Sequence, residues 1–72
     1  MPYRSNDELP EGLRRHLPPG AQGIFRKTFN RAWQTYRTRP EQQREEVAHR
    51  VAWAAVKRKY RKFGTDWVQL EI

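Results

Sequence analysis

Cysteine is absent from this chain. Its absence removes disulfide staples, thiolate nucleophiles and thiolate metal ligands together, and is compatible with a reducing compartment. Long apolar runs are missing too. The longest is the six-residue stretch 51–56, against the roughly 20 residues a membrane-spanning helix needs. Met1-Pro2-Tyr3-Arg4 leads at once into polar residues, without the apolar core of a signal peptide. These absences predict a cytoplasmic protein with no membrane insertion. Acidic residues are lacking where basic ones gather: residues 14–39 hold seven Lys and Arg, residues 50–63 hold six, and neither stretch contains an acid. The net charge of +7 is therefore concentrated in two segments. Such a field favours an anionic partner, either an acidic protein surface or nucleic acid, unless the cations only solubilise exposed helix faces.

What is present suits one small domain spanning residues 1–72. A chain of 72 residues has room for a single core, and its three Trp, three Tyr and three Phe supply large apolar surface for it. Leu9, Leu13 and Leu17 recur every four residues and predict a short helix, ended by Pro18-Pro19-Gly20. A first long helix is predicted from Gly20 or Ala21 to about Tyr36, with Ile24, Phe25, Phe29, Ala32, Trp33 and Tyr36 on one stripe. A second is predicted from Pro40 or Glu41 to about Phe63, ended by Gly64. Its small-residue face carries Ala48, Val51, Ala52, Ala55 and Val56, and the predicted core places Ile24, Phe25, Phe29, Ala32 and Trp33 against it. Lys59 falls on the same face and would have to snorkel from it. Val68, Leu70 and Ile72 alternate with Gln69 and Glu71, a short strand signal. Its backbone needs a partner, and Pro2–Arg4 is the predicted one, pairing with Trp67–Leu70. The fold class is thus mainly α, two long helices plus a short one, with a minor two-stranded element from the termini.

No catalytic set emerges. His16 and His49 are the only plausible neutral bases, and neither has a cysteine partner. Glu45 and Glu46 lie four and three residues before His49, which reads as a helix charge pairing, since a metal site wants three or four ligands. Asp7, Glu8 and Glu11 lack the loop spacing and central glycine of a calcium site. The four glycines form no phosphate loop, so no cofactor is expected. The basic surface is more informative. On the second long helix Arg50, Lys57 and Arg61 are spaced by seven and four residues and form an outward stripe with Arg58 beside it; Arg14 and Arg15 extend it from the short helix. A phosphate backbone asks only for such a field. Helix-turn-helix, zinc-finger and RNP signatures are all missing, so nucleic-acid binding on this face would be non-specific.

One pattern runs the length of the chain: Met1-Pro2-Tyr3, Asp7-Glu8-Leu9-Pro10, Leu17-Pro18, Ala21-Gln22, Phe29-Asn30-x-Ala32-Trp33-x-x-Tyr36, and Ala48-His49-Arg50-Val51-Ala52-Trp53-Ala54-Ala55-Val56-Lys57-x-x-Tyr60. In order and spacing it resembles the ChaB family of small proteins named for cation transport regulation. The resemblance implies a helical domain with a minor β element and cyclin-box-like packing. It also implies a non-catalytic accessory role through protein contact, on the cytoplasmic part of a cation/proton antiporter. Two stretches depart from the pattern: Arg37 to Gln43 looks shorter and less acidic, and Val68 to Ile72 is more apolar.

Overall fold

The computed structural model describes residues 2–70. A 3-10 turn at Asn6–Glu8 precedes α1 (Glu11–His16), α2 (Pro19–Thr35) and α3 (Glu41–Lys59), and the chain ends in a hairpin of β1 (Tyr60–Phe63) and β2 (Asp66–Gln69). Prolines punctuate the helices. Pro10, Pro18 and Pro40 stand immediately before α1, α2 and α3, and Pro19 occupies the first turn of α2, where its missing N–H is no loss. Gln22 of α2 donates its side-chain amide to the carbonyls of Leu17 (2.7 Å) and Arg14 (3.3 Å), closing the open end of α1.

The antiparallel packing of α2 on α3 makes the core. Phe25, Phe29 and Trp33 lie one turn apart on α2 and are buried against Ala48, Ala52 and Val56, one turn apart on α3. The rings run in series, Phe25–Phe29 at 6.1 Å and Phe29–Trp33 at 6.0 Å between centroids. Leu9, Leu17, Ala21, Ala32 and Tyr60 complete the buried set, so the short N-terminal elements seal one end. Arg44 closes the other, with its guanidinium 4.0 Å from the Trp33 ring centroid and its Nε donating to the Trp33 carbonyl at 2.6 Å.

Three sequence expectations change. Val51, expected in the core, is 36% exposed, and Ile24 and Ala55 are only half-buried. The buried arc of α3 is centred on Ala52, and Val51 stands about 100° round the helix from it, one residue's rotation. Second, α3 ends at Lys59 rather than Phe63; Tyr60 takes extended backbone (φ −130°, ψ 151°), and Lys59 is exposed at the helix end instead of snorkelling. Gly64 accordingly caps no helix: at φ +63° it occupies the first central position of a two-residue hairpin loop, where glycine is favoured. Third, the strand at 66–69 exists, but its partner is β1, in antiparallel register Tyr60↔Gln69, Arg61↔Val68, Lys62↔Trp67 and Phe63↔Asp66. The N-terminal segment has a different solution. The side-chain amide of Asn30 accepts from Tyr3 N–H (2.8 Å) and donates to Tyr3 C=O (2.7 Å), doing for one residue what a strand would do. Burial raises the Tyr3 phenol above its ordinary pKa, and the charge of Glu45 adds to the rise. The alternation at Ile72 lies outside the described residues.

Two stability predictions follow from this packing. Trp33→Ala should cost about 3–5 kcal/mol, a large part of a small domain's stability; an unchanged melting temperature would contradict the burial. Gly20 is the second. A methyl there would overlap the Tyr60 hydroxyl, although Gly20 has ordinary helical φ. Gly20→Ala should therefore destabilise by about 1–3 kcal/mol, against the usual gain for Gly→Ala in a helix. Adding Tyr60→Phe removes the overlapping atom and should restore much of that loss in denaturant titration. A neutral Gly20→Ala would show that the ring moves aside freely.

Candidate partner-binding surface

Helical geometry puts Arg50 and Lys57 on the side of α3 away from Ala52, and both are exposed. Together with Glu46, His49, Trp53 and Ala54 they line a shallow depression along α3. The switch to β structure at Tyr60 takes Arg61 off the expected helical stripe. It nevertheless remains beside Lys57: a second depression is lined by Lys57, Tyr60, Arg61, Lys62 and Trp67. Lys57 belongs to both, so Arg50, Lys57, Arg61 and Lys62 form one continuous basic surface wrapping from the helix onto the hairpin. Arg58 is exposed but borders neither depression.

Arg14 and Arg15 are not gathered into this surface. Arg14 Nε donates to the Leu9 carbonyl at 3.1 Å, and Arg15 pairs with Glu11 at 2.7 Å. Among the residues of α1 that do approach the hairpin is His16. With Gly12 and Leu13 it faces Trp53, Lys62, Thr65 and Trp67 across a cleft of about 210 Å³. Sequence reasoning passed over Lys62 because it continued the helix through it, and over Trp67 because it paired that strand with residues 2–4 instead of with β1. The signal was present in Phe63-Gly64-Thr65-Asp66, a two-residue turn with glycine first.

The surface is electrostatically unbalanced. Arg50 has a partner in Glu46 at 3.7 Å, but both side chains are more than two-thirds exposed, so the pair is weak. Among the described residues, Lys57, Arg58, Arg61 and Lys62 form no ion pair. His49 lies edge-on to Phe25 at 5.5 Å, and no cluster of three His, Cys, Asp or Glu able to hold a metal ion occurs among the described residues. No helix among them is long and apolar enough to cross a membrane.

Comparison with known proteins adds what the geometry cannot. The ChaB family model matches residues 9–69. The chain belongs to the ChaB family. It is 44% identical over 70 residues to the "Putative cation transport regulator ChaB" of Escherichia coli K12, covering 92% of each chain. The protein of the same name in Shigella flexneri shows the same identity and coverage. A solution NMR structure of a ChaB bearing that name superimposes with a TM-score of 0.86 at 41% identity, covering 97% of this chain and 100% of the other. The mainly α architecture described above is therefore that of the ChaB family.

Proposed function

We propose that this chain is a non-catalytic regulatory protein of cation transport, acting in the cytoplasm by docking on an acidic segment of a transporter such as a cation/proton antiporter. The transport role rests on the names borne by its ChaB relatives. The mode of action rests on one observation: Lys57, Arg61 and Lys62 border the same depression, exposed, with no acid paired to them among the described residues. Like charges this close repel, and solubility alone is met by mixed charges. An anionic partner relieves the repulsion. A catalytic reading has nothing comparable in its favour, because neither histidine has a cysteine to pair with.

Non-specific nucleic-acid binding is the second reading, favoured by the same basic surface and the net charge of +7. One experiment separates the two. Arg50, Lys57 and Arg61 are all changed to Glu, and crosslinking mass spectrometry in cells is run with and without nuclease. Exposed substitutions shift stability by less than about 0.5 kcal/mol each, so the triple variant should stay folded. It should lose crosslinks to the transporter's cytoplasmic loops, and nuclease should make no difference. Crosslinks abolished by nuclease, together with an affinity for DNA or RNA that falls linearly in log–log form with salt, would establish the second reading instead.

A further inference from the structure

Trp53 and Trp67 come from distant parts of the chain, and their ring centroids lie 5.4 Å apart. Both are only half-buried. With Leu13 they form the apolar walls of the cleft between α1, α3 and the hairpin, while Lys62, His16 and Thr65 stand at its rim. The cleft adjoins both basic depressions, sharing Trp53 with one and Lys62 and Trp67 with the other. Aromatic groups at the centre with polar groups around them is the anatomy of a protein-binding hot spot.

We infer that this cleft receives a single aromatic or branched apolar side chain from an acidic segment of the partner protein, while Lys57, Arg61 and Lys62 hold the carboxylates on either side of it. The inference rests on the acidic-partner reading above and names the anchor which that reading leaves open. Size argues for one side chain. At about 210 Å³ the cleft is smaller than the roughly 300–1,000 Å³ typical of small-molecule sites. Charge argues for an acidic segment: the helical acids nearest in sequence, Glu11 and Glu46, are engaged by Arg15 and Arg50. Asp66 alternates with Trp67 and so belongs to the face of the hairpin away from the cleft, with Arg61 and Val68, and pairs with no cation among the described residues. The rings argue against a nucleic-acid strand. Successive bases need open ring faces to stack on, and here the indoles lean on each other, with Trp53 also edge-on to Phe25 at 5.5 Å. They make the walls of a hole rather than a platform.

Gly12 provides a test that leaves the core alone. It lies at the cleft, and a Cβ built on it meets nothing within 4 Å. Gly12→Leu should fill the cleft from within while keeping or raising the melting temperature, since leucine is the better helix former. Two Glu-rich peptides serve as probes, identical except that one carries a central Trp and the other Ala. Binding is followed by fluorescence anisotropy, and the Trp53 and Trp67 indole N–H signals by NMR. The Trp peptide should bind the native chain about tenfold or more tighter than the Ala peptide and shift both indole signals. In Gly12→Leu that preference should vanish while the weaker Ala-peptide affinity persists. Equal binding of both peptides by the native chain overturns the cleft and leaves the charge reading intact. No binding of either overturns both. A preference for the Trp peptide that survives in Gly12→Leu, or an oligothymidylate that displaces the peptide and shifts both indoles more strongly, likewise overturns the inference.

Discussion

The fold depends on large rings meeting small residues along one helix pair. Phe25, Phe29 and Trp33 project from α2 into space that α3 leaves open by presenting Ala48, Ala52 and Val56. Each side of this arrangement requires the other. Alanine contributes little apolar area by itself, but it lets the helices approach until the rings are enclosed. A chain of 72 residues without disulfides leans heavily on such packing. The remaining elements act as seals on this seam. Arg44 covers Trp33, Tyr3 lies 5.0 Å from the Phe29 ring, and Tyr60 reaches across to the start of α2, where Gly20 makes room for it.

Polar side chains make these seals specific. Asn30 binds both backbone groups of Tyr3, Gln22 takes two carbonyls at the end of α1, and Arg26 Nε donates to Asn6 at 2.9 Å while Asn6 reaches toward the Pro19 carbonyl at 3.4 Å. In each case a residue on the half-buried flank of α2 anchors a short N-terminal segment. Burying backbone groups without such partners would cost more than the apolar contacts return. One helix therefore organises the core with one stripe and the N-terminal third of the chain with the next.

Both long helices were legible in the sequence to within two residues at their starts, because proline and the apolar period speak together there. The small-residue face of α3 was legible as well, but its centre was not. Val51 and Trp53 flank Ala52 symmetrically, and only tertiary structure decides which flank is covered; Trp67 comes to rest beside Trp53, and Val51 stays exposed. The end of α3 was misread for a related reason. Tyr60 and Phe63 lie three apart, so Tyr60-Arg61-Lys62-Phe63 fits the helical period and shows no strand alternation. A two-residue turn closes a hairpin at little cost in loop entropy, whereas pairing with residues 2–4 would require closure across most of the chain. The basic residues were recognised as a surface, but the cleft beside them was invisible, since it joins Leu13, Trp53 and Trp67 from three separate elements.

The change from helix to strand at Tyr60 also governs what the surface can do. In a continued helix, Arg61 and Lys62 would project about 100° apart and remain simple additions to a charged rod. In the hairpin they alternate across a sheet. Arg61 stands opposite Val68 on one face, while Lys62 stands opposite Trp67 on the face that also carries buried Tyr60. A cation is thereby fixed beside an aromatic wall, and the flanking cations of Lys57 and Arg61 remain within the same depression. A charged rod attracts any polyanion with little discrimination. A charge held at the mouth of an apolar cleft discriminates among anions, because an acidic chain with nothing to insert forgoes the desolvated contact that the cleft offers.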